Sequence, residues 1–182
     1  MSIPKINTSP VDFRSEKNIK TLLPEVQILA RSLVHAAHDI GITIRIISGS
    51  RSDSEQHALF LQGKNSLAVV NAARKAAGMD PITEDENRKT VTKADSGESN
   101  HNFQIAFDIG VFNGTKYIPE SPLYKAIAVL GKQLGLAWGG DWKSITDEPH
   151  YELRPHWAES LSEKEMLAQL RGRKKSGQAY FA

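Results

Sequence analysis

Apolar residues recur at three- and four-residue steps through Val26, Leu29, Ala30, Leu33, Val34 and Ala37. That period puts them on one face of a helix. Pro24 suits the first turn and Gly41 the stop, which predicts a helix from about Leu22 to Ile40. Ile42 to Ser48 is short and rich in β-branched residues, and reads as a buried strand. Ser52 and Glu55 have capping-box spacing, so a helix is predicted from near Asp53 to just before Gly63. Residues 66–77 predict another helix, stopped by Gly78. Residues 1–20 are polar and turn-rich and read as an irregular lead-in; residues 80–89 read as a surface loop.

Alternation returns in residues 106–112, where Phe107, Ile109 and Val111 would face a core. Asp108 would point the other way, between Ala106 and Gly110, whose small size leaves room around its carboxylate. Ser121-Pro122 opens a helix carrying Leu123, Ile127, Leu130 and Leu134, ended by Gly135. Trp138 to Trp142 reads as a turn between aromatics, His150 to Leu153 as a short strand, and Ser162 to Leu170 as a last helix before a basic tail. Helices interspersed with a few short strands predict an α+β fold with a small antiparallel sheet flanked by helices. Residues 1–182 would form a single domain, with a core over about 22–158 and a tail over about 171–182.

Composition narrows the chemistry. The 182 residues contain no cysteine, which excludes disulfides and thiolate metal sites. A metal would have to be held by His, Asp and Glu. The formal net charge of +2 gives no case for nucleic acid, and no recognised nucleic-acid motif is present. No apolar run is long enough to span a bilayer. The first residues lack the basic and apolar regions of a signal peptide, so an extracytoplasmic substrate would require another route of release. Arg171, Arg173, Lys174 and Lys175 cluster in the tail. Two readings apply to them: a solvated, partly frayed terminus, or attraction to anionic wall polymer or lipid headgroups.

Three clusters carry candidate chemistry: Ser99 to Asp108 with His101 inside it, Asp147 to Glu152 with His150 inside it, and Ser48-Gly49-Ser50-Arg51-Ser52. Catalytic zinc takes three N or O ligands and leaves a position open. His101, Asp108 and His150 are a plausible set. Seven extended residues would hold His101 and Asp108 about 23 Å apart, so shared ligation requires a bend just after His101, with Asp108 on the strand that follows. Glu152 would share a strand face with His150, and Tyr151 would face the other way. Asp147 could cap a turn or take a proton. Arg51 could form a surface ion pair.

The motifs Ser99-x-His101-x-x-x-x-Ala106-x-Asp108, Gly135-Leu-x-Trp-Gly-Gly-Asp-Trp142 and Asp147-x-Pro-His150 resemble the M15 metallopeptidases. Within that family they are most similar to the L-alanyl-D-glutamate endopeptidases of phage endolysins and bacterial autolysins. The stretch around Arg51, with Glu55-Gln56 and Gln62-Gly63-Lys64, matches as well, and the resemblance covers roughly residues 44–153. It implies the small fold shared with D-Ala-D-Ala dipeptidases and the hedgehog signalling domain. It implies one zinc ion on His101, Asp108 and His150, Asp147 as general base and Arg51 at the oxyanion. Gln56, Ser99 and Trp142 are expected at the substrate, and Glu152 is expected either there or orienting the His150 imidazole. The implied partner is bacterial peptidoglycan, met by a monomer at the cell wall after holin-type release. A D-Ala-D-Ala carboxypeptidase or dipeptidase, or a non-enzymatic wall-binding zinc module, are the alternatives. Three features depart from the family pattern: Gln104 where glycine is common, residues 65–89 as an insertion, and Glu152 where glutamine is common.

Overall fold

The computed structural model describes residues 3–143 and 145–182. The chain forms two compact units, one from residues 1–50 and 104–156, the other from residues 51–103 and 157–182.

The first unit contains helices α1 (Phe13–Ile19) and α2 (Pro24–Asp39), strands β1 (Thr43–Ser48), β2 (Ala106–Asn113) and β3 (Lys116–Ile118), and the helix that occupies Leu123–Gln133. Strands at Ala137–Trp138 and His150–Glu152 complete it. The predicted stripe on α2 is buried at Val26, Ala30, Leu33 and Ala37, while Leu29 and Val34 lie at its margin. Burial of one such leucine contributes about 1.5–3 kcal/mol. All strand pairings are antiparallel. β2 lies between β1 and the His150–Glu152 strand, which in turn pairs with Ala137–Trp138; β3 pairs with the far end of β2. Phe107, Ile109 and Val111 are buried as the alternation predicts. This is an α+β fold with a small antiparallel sheet flanked by helices.

The lead-in is not irregular. Asp12 caps α1 by accepting N–H groups of Arg14 and Ser15. α1 then supplies hydrogen bonds to the outer side of β1: Ser15 Oγ accepts the Ile46 N–H at 2.9 Å and Asn18 Nδ2 donates to Ile46 O at 2.8 Å. An edge strand left open would expose such groups. Residues 1 and 2 of the lead-in lie outside the described residues.

The second unit contains α3 (Asp53–Leu61), α4 (Leu67–Ala76), α5 (Glu84–Asn87) and, counting the Leu123–Gln133 helix as α6, the C-terminal helix α7 (Glu163–Ser176). The Ser52–Glu55 capping box forms as predicted. Two expectations fail. Residues 80–89 contain the one-turn helix α5, because Thr83 and Glu86 form a second capping box. The basic tail is not frayed: α7 runs on to Ser176 and ends on Gly177 at φ 69. Three of the tail's four cations have partners. Arg171 donates to Gly97 O at 2.9 Å, the Arg173 guanidinium lies 4.6 Å from the Trp157 ring, and Lys174 pairs with Asp53 at 3.1 Å.

Candidate metal centre

β2 and the last strand, β5 (His150–Glu152; Ala137–Trp138 is β4), pair Asp108 directly with His150 and Ala106 with Glu152. Directly opposed residues bring their Cβ atoms to about 4.5–5.5 Å on one face. Asp108 Oδ1 accordingly lies 3.3 Å from His150 Nδ1. On the opposite face Phe107 and Tyr151 stack with centroids 5.8 Å apart. That stack locks the register, since a one-residue slip would turn both ligand-type side chains into the core.

His150 is buried between two carboxylates. Its Nε2 lies 3.1 Å from Glu152 Oε2, and Arg154 Nη1 donates to Glu152 Oε1 at 3.3 Å. Burial alone would lower the imidazole pKa. Hydrogen bonds to Asp108 and Glu152 outweigh it and push the pKa up to about 10 in the metal-free protein. A neutral ring that donates from Nε2 to Glu152 would leave its Nδ1 lone pair on the Asp108 side, the arrangement suited to a metal ligand.

His101 sits on a single 3-10 turn, Asn100–Phe103, all four residues of which are buried. Asn102 is the clip of this turn. Its Oδ1 accepts the Gly97 N–H at 3.1 Å, and its Nδ2 donates to Arg51 O at 3.1 Å and Ser52 O at 3.3 Å. The Arg51 N–H donates to His101 O at 3.1 Å, so the Arg51 loop and the His101 turn are stitched by backbone. The required bend follows at Gln104, whose φ is 61. Sequence reasoning overlooked Asn102 and Arg154. An asparagine beside a turn histidine is the usual chemistry of side-chain-to-backbone clips and was the available signal.

His101, Asp108 and His150 form the group of residues suited to hold a metal ion. Two imidazoles and a carboxylate fit the three-ligand demand of catalytic zinc. Asp147 is half-buried on the turn before β5. Its N–H donates to Gly139 O at 3.1 Å and its O accepts the His150 N–H at 3.2 Å. A Cβ at Gly139 would fall 2.6 Å from Asp147 O and 2.9 Å from His150 Cβ, so only glycine permits this approach. The Trp138–Trp142 turn therefore does more than close over a core: Trp142 stands with its ring 4.7 Å from the His150 ring.

Gln56, expected at the substrate, is turned inward, and so is Glu152, which takes the other of its two expected places, against the His150 imidazole. Gln56 is 0% exposed, with Nε2 donating to Ala94 O at 2.8 Å and Oε1 accepting from Arg51 Nη1 at 3.4 Å. Glu152 is 1% exposed. Both side chains point inward: Gln56 braces Arg51, and Glu152 braces His150. Ser99 and Trp142 are half-buried. The room expected beside Asp108 at Gly110 is also filled: a Cβ there would meet the Tyr117 ring at 2.8 Å, the Phe112 ring at 3.0 Å and Ile47 at 3.1 Å.

A family model of the M15 peptidases, described as D-alanyl-D-alanine carboxypeptidase, matches residues 92–153. The peptidoglycan L-alanyl-D-glutamate endopeptidase CwlK of Bacillus subtilis (strain 168) is 30% identical over 145 residues, covering 74% of this chain and 75% of the relative. The chain belongs to the M15 peptidase family. Its fold is that of solved M15 peptidase structures. The L-Ala D-Glu endopeptidase ChiX of Serratia marcescens superposes with a TM-score of 0.54 at 20% identity, covering 84% of this chain and 95% of the other. A variant of the vancomycin-resistance D,D-pentapeptidase VanY from a VanB-type cassette, in complex with Zn(II), gives 0.50 at 18% identity, covering 87% and 81%. As an M15 peptidase, the protein is a hydrolase of peptide bonds. The family match contains His101, Asp108, Asp147 and His150, while Arg51 and α7 lie outside it.

Proposed function

We propose that this M15 peptidase is a zinc-dependent L-alanyl-D-glutamate endopeptidase that cuts the stem peptide of bacterial peptidoglycan at the cell wall. The observation that carries the reading is the pairing of Asp108 directly opposite His150, which with His101 makes a ligand set suited to zinc; the likeness to CwlK supports the bond. His101, Asp108 and His150 would hold the zinc. When bound, zinc supplies Lewis acidity that activates water and polarises the scissile carbonyl. Asp147 takes the proton of the attacking water and delivers it to the leaving amine as the C–N bond breaks. Arg51 hydrogen-bonds the oxyanion, with Gln56 holding its guanidinium. Glu152 orients His150 as a positioning residue, itself balanced by Arg154. Ser99 and Trp142 border the bound peptide.

Mass spectrometry of digested muropeptides tests the reading. Fragments that begin with the glutamyl residue are expected. The family description as a D-alanyl-D-alanine carboxypeptidase favours a second reading, in which terminal alanine alone would be released. Binding of the wall by zinc-loaded protein without any cleavage would reduce the chain to a binding module.

A further inference from the structure

The face of the sheet that carries Asp108 continues past the metal ligands. Gly110 and Phe112 follow Asp108 on β2 at two-residue steps, which is about 7 Å per step. β1 places Arg45 opposite Gly110, and β3 places Tyr117 opposite Phe112. The pairing of β1 with β2 shifts between Ile46 and Ser48, so Ile47 is the extra residue of a bulge beside Asp108. The side chains close over Gly110, which has no Cβ to obstruct them. Phe112 and Tyr117 pack with ring centroids 5.5 Å apart. Ile47 and Tyr117 are nevertheless 43% and 42% exposed.

Arg45 is the distinctive member. Its guanidinium lies 4.5 Å from the centre of the Phe112 ring. That cation–π contact holds the guanidinium over the Phe112 ring. No carboxylate among the described residues pairs with it. An oriented arginine over an apolar ledge, about two residues along the strand from Asp108, has the chemistry of a carboxylate receptor with an aliphatic or backbone contact beside it.

We propose that Arg45, Ile47, Phe112 and Tyr117 form a subsite for the carboxylate-bearing stem peptide, with the guanidinium of Arg45 on the free carboxylate of its glutamyl residue. The subsite rests on the peptidoglycan-peptidase reading and adds a determinant to it. It selects stem peptides whose glutamyl carboxylate is free over those in which it is amidated.

The test uses two synthetic stem peptides that differ only in that group, carboxylate or carboxamide, with zinc-loaded wild type, Arg45→Gln and Tyr117→Ala. Wild type is expected to show a KM roughly tenfold lower for the free acid. Arg45→Gln should lose that preference, with kcat within about twofold, unchanged zinc content and unchanged Tm. Tyr117→Ala should raise KM for both peptides alike. Equal preference in wild type and Arg45→Gln would overturn the subsite. So would an Arg45→Gln effect that ignores amidation and requires an attached glycan, since it would assign the ledge to sugar. Calorimetric binding of the same peptides separates this proposal from the proposed activity. Carboxylate-dependent binding lost in Arg45→Gln, without cleavage by wild type, would uphold the subsite and defeat the endopeptidase reading. Cleavage with no carboxylate preference would do the reverse.

Discussion

Gln104 holds a φ of 61, the left-handed region where a Cβ costs about 1–2 kcal/mol. Its carbonyl accepts the Leu23 N–H, so the backbone there is tied at the start of α2. The family pattern of glycine at this position thus has a physical basis. Gln104→Gly should stabilise the protein by about 0.5–1 kcal/mol, after the extra chain entropy of glycine is deducted. Urea denaturation measures it, and a loss of stability would show that the glutamine side chain makes a contact worth more than the strain. At Asp147 both backbone groups are engaged in the turn, so Asp147→Ala should keep fold and zinc while turnover falls by roughly 10²–10⁴-fold. His150→Ala should instead lose zinc. Metal analysis and a single-turnover assay on the two variants distinguish base from ligand. The raised pKa of His150 has a direction of its own. In metal-free protein its stabilising contribution is fully present below the ordinary histidine value and fades as pH climbs through about 10. Zinc must displace that proton, so apparent zinc affinity should strengthen by about tenfold per pH unit over the same window. A flat affinity profile between pH 7 and 9 would contradict the protonated, carboxylate-bridged imidazole.

At the scale of elements, α1 and α2 are joined by the bidentate pair of Arg31 with Glu16, both contacts 2.9 Å. The Arg31 hydrogen bond holds the Glu16 carboxyl below its usual range, against the opposing effect of burial. A depressed carboxylate pKa stabilises the fold above the ordinary value and loses that contribution as pH falls through the folded one. Stability measured by urea should therefore drop between about pH 5 and pH 3, and Glu16→Gln should flatten part of that drop while costing about 1–3 kcal/mol at neutral pH. An identical acid profile in the variant would remove the pair from the account. The sequence pattern missed α1 and α5 for one reason. Helices of seven and four residues are too short to show a period, and each stands on its cap and its partner rather than on an apolar stripe. β3 escaped for the same reason, with three residues that make sense only beside β2.

Over the whole molecule, each compact unit is built from two separated chain segments. Neither can close without the other segment of its own pair, which couples distant parts of the chain during folding. One cooperative thermal transition is expected for the zinc-loaded protein, in keeping with the single domain expected from its length; two resolved calorimetric transitions would refute it. Chelation should lower that transition and abolish cleavage, with zinc restoring both. A ligand at a thousandfold excess over its Kd stabilises by about 4 kcal/mol, so the shift in Tm should be measurable and should grow with free zinc. An unchanged Tm on chelation would argue that zinc is not held by the folded protein.

Several features were written in the chain itself. The stripe on α2, the alternation of β2, the Ser52 capping box and the helices at Leu67–Ala76 and Leu123–Gln133 follow from local periodicity and capping. So did the identities of His101, Asp108 and His150, because a cysteine-free chain offers few ligand types and their motifs resemble one family. The tertiary structure decided what those residues meet. Opposing Asp108 to His150 is a matter of strand register, which depends on pairing between segments about forty residues apart. The inward turn of Gln56 and Glu152 depends on neighbours such as Ala94 and Arg154, whose proximity no period encodes. The basic residues of α7 read as a loose tail until the Gly97 carbonyl, the Trp157 ring and the Asp53 carboxylate were seen beside them. Local sequence sets which way a side chain points along its element, whereas the partner it finds there is set by the packing of the whole unit.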